Sequence, residues 1–432
     1  MQIYAASYLL PVSAPPIAGG AIVTDNGRIV AVGPLAELRR LYSAPVREFP
    51  GCVIMPGLVN AHTHLELTHF PSWKLRKGID YSPRTYLDWV IQVIKIRRAL
   101  TADELIHSIH EGIHKSIECG TTMVGEILSD GSLTPVYRES LLAGRLYREA
   151  IGQDPARCEE LLRSLEETLA TFQSDRLKPG LSPHAPHTLS PSFMQELAGL
   201  AQRFSVPTVI HLAESREETD FIYGSGGKIA ELLYPFAGWE NYLPPPRRTT
   251  PTAFLDSLGI LNPSTTVIHC VHVTPSDAEI LKRRGVRVVL CPRSNNRLVV
   301  GKAPAALLKK AGIPLALGTD SLASNDSLSM WDEMRFLLQE FPATFSPDEA
   351  LEMATLGAAR ALSLDHEAGS LEHGKRADFL VVKPSRLPAP EEISGAVIEE
   401  NQIEELYLAG EPFSFERLAN CSKVDAVSGA PT

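Results

Sequence analysis

The sequence predicts a (β/α)8 barrel of the TIM type, with a small composite β-sandwich module built from both chain ends. Three observations predict it. From Val53 onward, eight short apolar runs alternate with helical segments, and such alternation implies parallel strand pairing. Before Val53 and after Gly369 the pattern changes to short strands and turns. At 432 residues the chain is too long for one small core and fits a large barrel beside a smaller module. The expected boundaries are 1–55 for the first part of the β module, 56–365 for the barrel, and 366–432 for the rest of the module and a frayed tail. A doubly wound open sheet is the second reading.

Taken in order, Gly19-Gly20, the hairpin signal Asp25-Asn26-Gly27 and the run Arg28–Gly33 make the first fifty-odd residues a set of short strands. The stretch Val53–Glu66 turns at Pro56-Gly57 and ends in His62-Thr63-His64. Residues two apart on a strand share a side, so this pair could clamp one metal ion. His69 to Asp88 shows no periodicity and reads as a long loop of the kind that is functional or disordered. Thr101–Glu104 is a capping box, and Ile106, Ile109, Ile113 and Ile117 give one apolar helical face. Strands follow at Thr121–Ile127, Arg145–Ile151, Gly180–His184, Val206–Glu214, Thr265–His272, Val286–Cys291 and Ile313–Asp320. Helices are expected over 157–173, from Ser190-Pro191 to Phe204, and from Thr274-Pro275 to Gly285. Strands at Ala377–Val382, Ala396–Ile398 and Ile403–Tyr407 return the chain to the β module.

Hydrophobic content of 44% and charged content of 21% describe an ordinary globular protein. A formal charge of -10 argues against nucleic acid or an anionic membrane as partner. The six cysteines form no C-x-x-C pair, which suits the reducing cytoplasm. No apolar run reaches the length of a membrane span, and the first residues lack a basic leader region. The expected partner is a small-molecule substrate, with a homo-oligomer left open.

Active sites of such barrels lie at the C-terminal strand ends. The polar residues there are His62 and His64, His184, His211 with Glu214, His269 with His272, and Asp320. Three imidazoles and a carboxylate suit one divalent metal, Zn²⁺ or, on geometry alone, Fe²⁺. His107, His110 and His114 flank the isoleucine face and are expected to face solvent. His187, His366 and His373 are expected on the surface or in turns, and His272 either behind the ligands in support of them or in a structural place. Gly369–Lys375 imitates a phosphate loop, but Arg376 stands where a Mg²⁺-binding hydroxyl would be needed.

Together, Pro56-Gly57-Leu-Val-Asn-Ala-His62-Thr-His64, His211-Leu-Ala-Glu214, His269-Cys-Val-His272 and Gly318-Thr-Asp320-Ser-Leu-Ala-Ser-Asn325 resemble the amidohydrolase superfamily. The resemblance implies metal ligands at His62, His64, His211 and Asp320. Ser182-Pro-His184 stands where a binuclear relative would carry a bridging lysine, which favours one metal. It also implies a proton-transfer pair at Glu214 and His269, a further proton role for Asp320, and a substrate contact at His184. The branch it is most similar to deaminates purine-type rings of 5′-modified adenosines: adenosylhomocysteine, methylthioadenosine and aminodeoxyfutalosine. The ribose-binding glutamate of adenosylhomocysteine-type members is replaced here by Ile91, with Asp88 and Trp89 nearby; either Asp88 takes that role or the substrate differs. Arg148 could pair with a substrate carboxylate or form a surface salt bridge. A triazine-type hydrolase on the same scaffold and a catalytically silent metal-stabilised subunit are the alternatives.

Overall fold

The computed structural model describes residues 1–79 and 81–414. Eight parallel strands form the barrel: Leu58–Thr63, Thr121–Leu128, Ala143–Ala150, Leu177–Pro183, Thr208–Leu212, Thr265–His269, Arg287–Leu290 and Leu315–Leu317. Each is hydrogen-bonded to the next in chain order. The seam between the eighth and first strands closes through polar groups. The Asp320 amide donates to the His62 carbonyl at 3.0 Å. Asn60 Nδ2 donates to Thr319 Oγ1 at 2.7 Å, and the Thr319 amide returns a bond to Asn60 Oδ1 at 3.0 Å. Gly318 makes the closure possible, because a Cβ there would lie 2.8 Å from that of His62. Val59, Met123, Tyr147, Val209, Ile268 and Val289 fill the barrel interior as one apolar cluster.

Helices pack outside in the expected alternation. The Thr101/Glu104 and Thr274/Asp277 capping boxes both form. Pro191–Phe204 ends at Ser205 in the left-handed region, where a helix C-cap commonly sits.

Eight strands from the two chain ends make a second sheet. Its centre is the antiparallel pairing of Val53–Pro56 with Phe379–Val382, residues more than 300 positions apart. Alternation along Gln2–Leu9 puts Tyr4 and Ala6 in one apolar cluster and Ile3 and Ala5 in another, and a register irregularity between Ala6 and Tyr8 brings Leu9 to the first, so both faces of this sheet are covered.

Two expectations change. Ala396–Ile398 is not a strand but part of the helix Ile393–Glu399. Its buried residues Ile393, Ser394, Val397 and Ile398 repeat with helical spacing, and the adjacent β-branched Val397 and Ile398 had concealed that period. The stretch from His69 to Asp88 is not one long loop. It holds the helix Phe70–Arg76, with Pro71 in its first turn, and the start of Tyr86–Arg98, capped by Thr85. The expected tail from 422 lies outside the described residues.

Candidate active site

The first strand delivers His62, fully buried, and the turn beyond it delivers His64. Their rings meet edge to face with centroids 4.9 Å apart. The turn is held by the buried Glu126, which accepts the Leu65 amide at 3.0 Å and the Tyr137 hydroxyl at 2.5 Å. The fifth strand adds His211, 5.0 Å from His62 and 5.7 Å from His64 between ring centroids. Asp320, just past the eighth strand, sets Oδ1 3.7 Å from Nε2 of both His62 and His64. Its Oδ2 accepts from Ser294 and Ser324, each at 2.7 Å. His269, ending the sixth strand, stacks 5.6 Å from His211.

Local backbone strain accompanies this convergence. Ala213, His269, Cys270 and Asp320 all have φ between 51° and 70°, the left-handed region that side chains other than glycine rarely occupy. All four lie at or just beyond the C-terminal ends of the fifth, sixth and eighth strands, where the chain must turn while aiming a side chain inward.

Hydrogen bonds at the outer ring nitrogens set the tautomers. His211 Nδ1 donates to the His184 carbonyl at 2.9 Å, and His269 Nδ1 donates to Asn295 Oδ1 at 2.9 Å. The Thr188 hydroxyl gives its proton to the Ala185 carbonyl at 3.1 Å, so at 3.0 Å it accepts from His184 Nδ1. Each of these three rings therefore keeps a lone pair on Nε2. Burial pushes His64 down to about 3 and His184 down to about 4, so both rings are neutral and able to donate to a cation. Neither nitrogen of the buried His62 has a hydrogen-bond partner. A buried imidazole left without partners is costly unless a ligand completes it. His62, His64 and Asp320 present donor atoms within 4.8 Å of one another, as do His62, His211 and His269. These imidazole nitrogens with one carboxylate fit a divalent metal.

Glu214 follows His211 by one turn of chain and is buried. Its Oε1 lies 3.8 Å from His269 Nε2, and its Oε2 accepts from the Tyr86 hydroxyl at 2.7 Å. Burial raises its pKa, and the charge of Asp320 adds to the rise. Glu218 braces the turn by accepting the Ala213 and Glu214 amides at 3.0 and 3.3 Å.

The structure thus brings together His62, His64, His211, Asp320, Glu214, His269 and His184. Three further candidates spend polar groups on the protein. Asp88 accepts the Arg84 amide at 3.2 Å beside the helix N-cap Thr85. Trp89 Nε1 donates to the Ala323 carbonyl at 2.8 Å. Arg148 is buried, not part of a surface salt bridge, and donates to the Leu128 carbonyl at 2.6 Å. His187 lies in a turn, one of the two places expected, but is buried there, its Nδ1 4.0 Å from Glu218. His272 donates to or accepts nothing from the cluster and instead meets the Val300 carbonyl at 2.9 Å. Sequence reasoning passed over Tyr86, Glu149, Glu126 and Glu218. Glu149 had a signal, because it sits two residues after Tyr147 on one strand and so shares the barrel-facing side with it. Tyr86 had none, as its segment carries no period.

The sequence pattern of the Amidohydrolase family matches residues 53–411. The chain belongs to the amidohydrolase family. That of the imidazolonepropionase-like composite domain of bacteria also matches residues 20–42, within the β module. A 5-methylthioadenosine/S-adenosylhomocysteine deaminase of Syntrophobacter fumaroxidans is 32% identical over 394 residues, covering 88% of this chain and 84% of the relative. An aminodeoxyfutalosine deaminase of Deinococcus radiodurans is 30% identical over 365 residues, covering 79% and 81%. The solved structure of an adenosine deaminase from Xanthomonas campestris with bound zinc superposes with a TM-score of 0.76 at 26% identity, over 98% of this chain and 97% of that one. As an amidohydrolase with deaminase relatives, this protein is a hydrolase of C–N bonds, and its histidine–aspartate cluster is a divalent-metal site. Among the described residues, no helix is long and apolar enough to cross a membrane.

Proposed function

We propose that this amidohydrolase is a hydrolytic deaminase of a purine-type ring, acting on a 5′-modified adenosine such as aminodeoxyfutalosine and releasing ammonia. The pairing of Glu214 with His269 beside the histidine–aspartate cluster carries the reading. A carboxylate there can protonate a ring nitrogen next to the attacked carbon, and the deaminase relatives favour an amine over chloride as the leaving group.

His62, His64, His211 and Asp320 would hold one metal, zinc in our reading because neutral imidazoles and one carboxylate suit it. When bound, such an ion lowers the pKa of a coordinated water to about 7. Glu214 takes the proton of the attacking water on its carboxylate and delivers it to the ring nitrogen. The Nε2 lone pair of His269, fixed by the bond from Nδ1 to Asn295, orients that water. Asp320, steadied at Oδ2 by two serine hydroxyls, takes the remaining proton of the added hydroxyl and passes it to the departing amine, which leaves as ammonia while the carbonyl forms. General acid–base steps of this kind are each worth about 10²–10⁴-fold. His184 contacts the substrate through Nε2. Arg148, buried on the Leu128 carbonyl and turned away from the cluster, is set aside as the partner of an acidic 5′ substituent, which leaves Asp88 and Trp89, on one helix, as the groups proposed beside the sugar. The five described cysteines are all unpaired, which suits a cytoplasmic enzyme.

The test is ammonia release by the metal-analysed protein from aminodeoxyfutalosine, adenosylhomocysteine, methylthioadenosine, adenosine, guanine and a chlorotriazine, with Glu214→Gln as control. Ammonia from a 5′-modified adenosine, lost in the control, is expected. Chloride from the triazine with no ammonia from any purine would refute the deaminase reading.

A further inference from the structure

Asn295 supports His269 from behind and has half of its amide to spare. Its Oδ1 accepts from His269 Nδ1, and the residue is 3% exposed. Among the described residues nothing accepts from its Nδ2. The side chain borders a hollow of about 180 Å³ between the segment 292–303, which follows the seventh strand, and the end of the helix Met330–Glu340. With Oδ1 spent on His269, Nδ2 is the polar atom that Asn295 offers to this hollow. No residue of the metal cluster lines it.

The walls say what would fit. Leu290, Pro292, Val299, Ala303 and Phe341 are apolar. The two charges that line the hollow, Lys302 and Glu340, are paired with each other at 2.6 Å, so no free charge awaits an ion. Val299 is held in the left-handed region with its side chain turned out to the opening. Strain of this kind at an exposed apolar side chain is a mark of a functional position. A buried N–H without an acceptor is costly. One water on Nδ2 would satisfy it but leave the apolar walls uncovered. An apolar cavity of about 150 Å³ is large enough to take benzene, so this one holds a single ring with a small substituent.

We propose that this hollow is a second ligand site, which takes one neutral aromatic ring bearing a hydrogen-bond acceptor and acts on His269 through Asn295. The proposal rests on the deaminase reading for the role of His269 and goes beyond it in placing a regulatory site outside the metal cluster. An acceptor on Nδ2 polarises the amide and makes Oδ1 a better acceptor for the His269 proton. It also holds the amide in the one orientation that keeps that proton on Nδ1, so the Nε2 lone pair stays aimed at the attacking water.

The experiment uses two probes of similar size, acetophenone, which has an acceptor and no donor, and ethylbenzene, which has neither. Their dissociation constants are measured by calorimetric titration of the metal-loaded wild type, Ala303→Leu and Asn295→Ala, each checked for melting temperature. Acetophenone is expected to bind the wild type about five- to tenfold more tightly, the worth of one net hydrogen bond. Ala303→Leu fills the hollow and should weaken both probes at least about tenfold while basal kcat is kept. Asn295→Ala keeps the hollow without its donor and should bind both probes equally, which decides the matter even if Ala303→Leu does not fold. With methylthioadenosine as substrate, saturating acetophenone should raise wild-type kcat about twofold and leave KM in place. Equal affinities in the wild type would overturn the proposal, as would acetophenone binding untouched by Ala303→Leu, an unmoved kcat at saturation, or a rise in KM alone, which puts the probe in the substrate site. The titrations need no turnover, so wild-type protein that binds acetophenone as expected but deaminates no nucleoside would sink the deaminase reading and leave the ligand site standing.

Discussion

The hydroxyl of Tyr86 donates to Oε2 of Glu214 across 2.7 Å, joining residues 128 positions apart in the chain. Tyr86 opens the helix Tyr86–Arg98, and Glu214 lies just past the fifth strand. The bond ties the segment after the first strand to the proton-transfer carboxylate. It also stabilises the ionised form of Glu214, against the burial that raises its pKa. Tyr86→Phe is therefore expected to lower kcat about tenfold and to shift the acidic limb of the pH–rate profile upward, because a charge-assisted bond to the carboxylate is lost. A profile with an unmoved limb would leave Tyr86 a packing residue only.

Gly318 lets the eighth strand close on the first. A methyl there would lie 2.8 Å from His62 Cβ and 2.9 Å from its backbone nitrogen. Backbone atoms yield little, so Gly318→Ala should displace His62. We expect metal affinity to fall at least tenfold, read by competition with a chelator. Because second-strand and module contacts are untouched, far-ultraviolet dichroism should be retained.

Glu218 gives a stability signature. Burial, aided by the charge of Glu214, pushes its pKa up to about 8. A carboxyl raised above its unfolded value stabilises the fold when protonated. That contribution is complete below the ordinary carboxylate range and is lost as pH rises through about 8. The stability of wild type relative to Glu218→Gln should therefore decline between about pH 5 and 8, by at most about 1.4 kcal/mol per pH unit. Urea unfolding at several pH values reads the difference. A flat difference would mean that Glu218 is ionised throughout.

Val299 occupies the left-handed region at φ 55° with its side chain 86% exposed. It follows the short helix Pro292–Arg297, where glycine would cap without penalty. Nothing buried is gained by the β-branched side chain. Val299→Gly should raise stability by about 1 kcal/mol, observed as a higher melting temperature with unchanged activity.

Much of this architecture was legible in the residue pattern. Alternating apolar runs and helical periods named the barrel because every parallel strand must be followed by a covering helix. His62, His64, His211, His269 and Asp320 stood out because polar residues ending apolar strands have few reasons to be there other than chemistry. Capping boxes at Thr101 and Thr274 were readable because their bonds span three residues. Part of the helix Ile393–Glu399 was misread since the adjacent Val397 and Ile398 favour a strand locally and only burial selected the helix.

What the tertiary structure alone decided depends on contacts between distant segments. Whether Asp320 meets His62 and His64 is set by barrel closure through Asn60, Thr319 and Gly318. That Tyr86 reaches Glu214 depends on how the segment after the first strand folds back. The tautomers of His184, His211 and His269 depend on acceptors brought in by other elements or loops. That Glu149 faces the cluster while Arg148 turns away follows from strand parity, but the unpartnered Glu149 oxygen beside His184 exists only once the third, fourth and fifth strands are side by side. Local sequence encodes period and end signals, which act over a few residues. Donor–acceptor balance in a buried site is a property of the assembled barrel.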